Sequence, residues 1–260
     1  VTYKNSGLVV GVVLMVFVAF ISVYTLRLLV KTGKYVNVED YERLTERCFG
    51  MTGYYFLAIT ILLFDIGACM TYSIILGDSA HAVMKHLFGW NSETDRILVV
   101  VGAYVVLILP FCLGKSHDFI EKISACAIAA VVIMIGVVTF QYFHKWSHRD
   151  VEGIKLFNNN SQQLLSALGT ISFAFVQHDQ TFLVYKTLYN NTLKRYTILA
   201  SWALAIQSVL CICIGVFGYL SFGSNTQDDV LQNYDIDDWL IIAIRIMYTL
   251  TMAFIFPTAF

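Results

Sequence analysis

The sequence predicts an all-α polytopic membrane protein, and three observations carry that expectation. Only 13% of the 260 residues are charged, against roughly 25% in soluble domains. Apolar runs of 17–25 residues recur along the chain, the length a helix needs to cross about 30 Å of hydrocarbon. Charge is also segregated from these runs: of all charged side chains only Arg27, Asp65, Asp179 and Arg245 fall inside them. A bilayer imposes that separation because each charge in hydrocarbon costs free energy. A transmembrane barrel would show short alternating segments instead. The same composition excludes soluble globular, disordered and small secreted classes, and a net charge of -1 leaves no electrostatic footprint for nucleic acid.

Seven spans are expected, at residues 7–30, 53–77, 97–113, 123–143, 164–184, 196–220 and 239–260, forming one transmembrane domain. The first is too long for a secretory signal and ends in Arg27, Lys31 and Lys34 rather than in a small-residue cleavage site. Between the first two spans, Asn37 is expected to cap a short amphipathic helix with Asp40 at its third position. Tyr41, Leu44 and Cys48 share its apolar face, and Gly50 and Gly53 end it.

Lysine and arginine set the orientation. The first, third and fifth connections hold nine of them, including Lys31, Lys34, Arg43, Arg47 and Lys186; the opposite side holds six. The nine-residue side is therefore expected to face the cytoplasm. The sequon at Asn159 then lies outside and is a candidate glycosylation site, as does the acidic connection with Asp228, Asp229, Asp235, Asp237 and Asp238. A second sequon, at Asn190, would be cytoplasmic and unused. The six cysteines avoid the outer connections and form no disulfide or metal pattern; those in spans read as small packing residues. His144 and His148 stand four apart without acid or cysteine partners, so they read as surface residues. Gly7 with Gly11, and Gly215 with Gly218, read as close helix-packing positions.

The fifth span departs from the pattern. Gln177, His178, Asp179 and Gln180 interrupt it, and four successive residues cover every direction of a helical turn. Either that helix faces a polar cavity or it is broken there. Broken helices deep in a membrane line water or a ligand and form the substrate and ion sites of transporters; a helix end at Val176 is the plainer alternative. Asp65, central in the second span, is a candidate proton or cation site, or a partner for Arg245; Arg245 is equally placed to snorkel outward. Thr249 and Thr251 either bond their own helix or offer hydroxyl oxygens to a small cation.

The run Ile171-Ser172-Phe173-Ala174-Phe175-Val176, followed by a histidine and then by Phe182-Leu183-Val184-Tyr185, resembles the sodium-coupled neutral amino acid transporters of the amino acid/auxin permease group. Tyr3 to Gly7, Tyr72 with Gly77 and Asp78, Leu109-Pro110, Lys122-Ile123-Ser124, Gly218-Tyr219-Leu220, Asp228-Asp229 and Asn233-Tyr234 match in the same order. The resemblance implies a partial five-plus-five inverted-repeat, LeuT-like fold. The seven spans would be its second to eighth helices, so the chain would be a fragment lacking the first helix and the last three.

It also implies secondary active transport of small neutral amino acids such as glutamine or alanine, with no enzyme activity, no cofactor and sodium as coupling ion. A proton-coupled permease and an amino acid sensor are the alternatives, and either a plasma or an endolysosomal membrane would suit. Ser172, Phe173 and Phe175 would border the substrate, with Gln177, His178 and Asp179 in the break. Thr251, then Thr249, matches the sodium hydroxyl. Gln177 stands where these relatives usually carry cysteine, and their outer cysteine pair is absent. A seven-helix receptor is disfavoured: no acid-arginine pair ends the second span, and Pro257 lacks a preceding asparagine.

Overall fold

The computed structural model describes residues 2–90, 92–109, 117–144, 153–235 and 238–259, and every regular element among them is helical. The elements are α1 (Thr2–Ser6), α2 (Leu8–Val36), α3 (Tyr41–Phe88), α4 (Glu93–Ala103), a π-helical turn (Tyr104–Ile108), α5 (His117–His144), α6 (Ser161–Ala174), α7 (Thr181–Thr187), α8 (Leu193–Phe222), 3-10 turns at Gly223–Asn225 and Val230–Asn233, and α9 (Trp239–Ala259). Four helices among the described residues are long and apolar enough to cross a membrane: α2, α3, the Ala127–His144 part of α5, and Leu193–Asn225. Pro110, Cys112, Lys115, His148, Asp237 and Phe260 lie outside the described residues, as do the side chains of Lys122, Ile123 and Ser124.

The chain divides into two compact units. In the first (Val1–Leu62 with Trp146–Thr226), α2 packs lengthwise on α8. The buried face of α2 runs through Gly11, Met15, Ala19, Ser22, Leu26, Val30 and Gly33, and that of α8 through Tyr196, Ala200, Leu204 and Ser208. These steps of three and four form one stripe per helix, and the small residues let the backbones approach. The opposite face of α2 is apolar too, with Val13, Phe17 and Phe20 60%, 58% and 73% exposed. An apolar face on both sides of one helix suits hydrocarbon rather than water.

Gly7 ends α1 and opens α2 with φ 82°, a conformation that favours glycine. The α2 amides of Leu8 and Val9 donate to the carbonyls of Lys155 and Leu156 at 3.0 and 3.1 Å. The segment ahead of α6 thus satisfies two of the four donors that a helix start leaves open. Asn158 Nδ2 donates to the Asn5 carbonyl at 2.7 Å, and the Lys155 amide to the Tyr219 hydroxyl at 2.9 Å, pinning the same segment to α1 and α8.

The amphipathic helix is the start of α3, and Gly50 interrupts α3 with φ 70°. The cap differs from expectation. Asn37 takes the left-handed conformation, φ 55°, and closes α2 by donating its amide to Gly33 and Lys34. The reason is that α2 continues beyond the hydrocarbon-length run, through Lys31 and Lys34 to Val36, which leaves Asn37 at its end.

In the second unit (Leu63–Lys145 with Gln227–Phe260), α9 packs on α5 and on the π-helical turn. Leu76, Ile108 and Ala253 form a buried cluster joined by Cys69, Tyr72 and Met252. Ser92 and Asp95 cap α4 reciprocally, the Ser92 amide donating to Asp95 at 2.9 Å. Gln141, in the last turn of α5 and 6% exposed, donates to Asp238 at 2.7 Å.

Candidate functional site

The fifth apolar run is broken. α6 stops at Ala174, α7 starts at Thr181, and six residues between them are not helical. The Phe175 amide turns back to the Ser172 carbonyl at 3.1 Å, closing α6, and the Thr181 hydroxyl donates to the Gln177 carbonyl at 3.0 Å. Phe175, 1% exposed, anchors the end of α6 in a core with Ile171 and Tyr185. Phe182, 4% exposed, does the same for α7 against Gly33, where an added Cβ would stand 2.6 Å from the ring. Two buried aromatics thus fix the helix stumps and leave the polar residues between them.

Those residues are held from two sides. Gln177 Nε2 donates to Gln207 Oε1 at 2.9 Å, and Gln207 Nε2 donates to the Ala174 carbonyl at 2.5 Å. On the other side, His178 Nε2 and the Thr25 hydroxyl of α2 share a hydrogen bond of 2.8 Å. Thr25 also donates to the carbonyls of Ile21 and Ser22 at 3.0 and 3.1 Å, so when its single proton is used there His178 is the donor. The charge of Asp179 faces the start of α3: burial first, and then that carboxylate, push the Tyr41 phenol up. Next to it, the hydrogen bond that Glu42 donates to Asp40, and then burial, raise the Glu42 carboxyl, and Asp179 adds to the rise.

His178 also lines a groove of about 970 Å³ between α2 and α3. Leu28, Leu44, Phe56 and Leu57 make its apolar walls, with Thr25, Thr32, Thr45 and Tyr41 as polar points. Ser172 and Phe173 lie exposed on the last turn of α6, while Gln177, His178 and Asp179 are half-buried. The structure therefore brings together the break residues expected from sequence, with Phe175 packed inward. Gln207 and Thr25 were not singled out from sequence, although a glutamine in the middle of an apolar span is itself a signal.

The candidate sodium ligands and intramembrane charges lie in the second unit. Thr249 and Thr251, 9% and 4% exposed, each donate to the carbonyl one turn back, Arg245 and Met247, at 2.8 Å. A hydroxyl so bonded has spent its proton and keeps oxygen lone pairs. Asp65 is half-buried on α3. Arg245 is 3% exposed and donates from Nη2 to the Leu231 carbonyl at 2.7 Å. Its guanidinium lies within electrostatic reach of Asp229, whose carboxyl is pushed up by burial and drawn back by the Leu231 amide and by Arg245. Asp78, which adds to that rise, is itself paired with Arg96 at 2.5 Å.

In the first unit Asn159 is exposed, immediately ahead of Asn160, which caps α6 through the amides of Gln162 and Gln163. At the other sequon Thr192 caps α8 through the Arg195 amide at 3.3 Å. Among the described residues no cluster of histidine, cysteine and acids could hold a metal ion.

The profile of a family described as transmembrane amino acid transporter protein matches residues 1–260. The chain belongs to that family. It is thus an integral membrane protein of a transporter family, not an enzyme. Among its relatives is the human protein named "Putative sodium-coupled neutral amino acid transporter 11", 28% identical over 258 residues, which cover 98% of this chain and 63% of that protein. The rat protein of the same name is 26% identical over 98% of this chain and 56% of its own length. Vacuolar amino acid transporter 2 of Saccharomyces cerevisiae is 24% identical over 98% of this chain and 54% of its own. The chain spans less than two thirds of each of these relatives.

Proposed function

We propose that this member of the family moves small neutral amino acids such as glutamine or alanine across its membrane by secondary active transport, coupled to sodium, through alternating access around the α6–α7 break. The break is the observation that carries this reading. In the middle of an apolar run, α6 ends its hydrogen-bond ladder at Ala174 and exposes backbone and polar side chains. Such a break needs water, protein or a ligand to satisfy it. A zwitterion supplies complementary groups, its ammonium for helix-end carbonyls and its carboxylate for amides. Ser172, Phe173 and Phe175 would flank the substrate, with Gln177, His178 and Asp179 in the break. Thr251, with Thr249 second, would supply a sodium ligand, and Asp65 an intramembrane charge. The name borne by the human and rat relatives supports both the substrate class and the ion.

We place these residues in a five-plus-five inverted repeat, with seven spans in this chain and the first connection cytoplasmic. One elementary charge moved inward with the substrate would supply about 2.3 kcal/mol per 100 mV. The second reading is proton coupling. It is favoured by His178, whose imidazole can bind and release a proton and is hydrogen-bonded inside the break.

The test is uptake of labelled glutamine and alanine by cells expressing the full reading frame, with sodium and then with choline in its place. Sodium-dependent uptake is expected. Acid-stimulated uptake that ignores sodium would select proton coupling, and no uptake of any neutral amino acid at any pH would refute transport of this class.

A further inference from the structure

The break is held by a directional relay that ends on a residue outside it. The Ala174 carbonyl can only accept, so the amide of Gln207 must present its NH2 group there, at 2.5 Å. Gln207 then turns Oε1 toward Gln177, which must answer with its own NH2, at 2.9 Å. The polarity of both amides thus follows from one backbone carbonyl, the last of α6. Gln207 sits on α8, a continuous helix of 30 residues, while Gln177 sits on non-helical chain. The helical element therefore sets the non-helical one.

We propose that Gln207 is a positioning residue for transport: it holds the end of α6 open at Ala174 and fixes the direction of the Gln177 amide, leaving Gln177 Oε1 as the acceptor the break offers. This rests on the reading of the break as the substrate site. Gln207 acts by aiming the Gln177 acceptor at a substrate ammonium, so its effect falls on substrate affinity more than on turnover.

Gln207→Glu and Gln207→Leu in the full reading frame test this. An ionised glutamate cannot donate to Ala174; a protonated one reproduces the amide, O–H to Ala174 and C=O toward Gln177. Leucine loses both hydrogen bonds, while ionised glutamate keeps the one from Gln177 but sets a carboxylate oxygen against the Ala174 carbonyl, so KM for glutamine should rise about tenfold at neutral pH in both variants with kcat little changed. As the pH is lowered, the glutamate variant should return toward the wild-type KM measured at the same pH, and the leucine variant should not. Any pH effect that does not pass through position 207 is common to all three proteins, so the wild type corrects for it.

A KM unchanged in both variants, or a glutamate variant that shows no recovery relative to wild type, would overturn the proposal. Amide hydrogen exchange at residues 175–180 gives a second readout. It should quicken about fivefold or more in Gln207→Leu, and unchanged exchange would overturn the proposal even if the wild type transports nothing. Failure of wild-type uptake alone would refute the transport reading and leave this exchange result to decide the role of Gln207.

Discussion

The hydroxyl of Thr25, in the middle of α2, lies 2.8 Å from Nε2 of His178, in the gap between α6 and α7. One threonine in a long apolar helix thereby holds a polar residue that could not otherwise sit beside hydrocarbon. Thr25→Val keeps the shape and removes the partner. It should lower stability by about 1 kcal/mol, read as a fall in the detergent-solubilised Tm, and Thr25→Ser should restore it. An unaltered Tm in the valine variant would show that water replaces the hydroxyl freely.

Tyr3 is seated between two glycines. A Cβ on Gly215 would stand 2.0 Å from its ring, and one on Gly11 2.7 Å from it. Gly215→Ala should therefore cost roughly 1–3 kcal/mol by overpacking. Tyr3 is itself buried, so the test is a cycle: in a Tyr3→Ala background Gly215→Ala should cost little. If it costs as much there as in the wild type, the clash is elsewhere.

Asp229 carries a pH dependence of definite sign. Its folded-state pKa is raised, chiefly by burial, so the folded protein holds that proton more tightly than the unfolded chain. Ionising the carboxyl therefore opposes folding. Stability of the wild type should fall relative to Asp229→Asn as pH rises from about 4 through the raised pKa, then keep a constant offset. Asparagine can still cap the Leu231 amide, a bond of 3.0 Å in the wild type. Parallel stability profiles across that range would contradict the assignment.

Thr251 is buried, and its proton goes to Met247. If the oxygen is a sodium ligand as proposed, Thr251→Ala should raise the sodium concentration for half-maximal uptake about tenfold, and Thr251→Ser should not. Equal sodium affinity in the alanine variant would remove Thr251 from the site.

Much of the helical layout was legible because the bilayer writes a coarse rule. The long run at 196–220 lies within α8, and the four polar residues at 177–180 fall inside the break. Boundaries were less legible. α2 runs on past the hydrocarbon-length run to Val36, so Asn37 closes it instead of opening the next helix. Roles were less legible still. Gly11 and Gly215 look like generic packing positions until Tyr3 is seen between them, 212 residues from Gly215 along the chain. Gln207 looks like an isolated polar residue until its amide meets Ala174.

By itself, then, the sequence determined that this is a membrane protein of apolar helices with one of them interrupted, since hydrocarbon excludes charge and a four-residue polar run cannot hide on one helix. Only the tertiary structure decided where α6 stops and which neighbours hold the break. Hydrogen-bond partners such as Thr25 with His178, or Gln207 with Ala174, are far apart along the chain, and their pairing depends on how the helices pack.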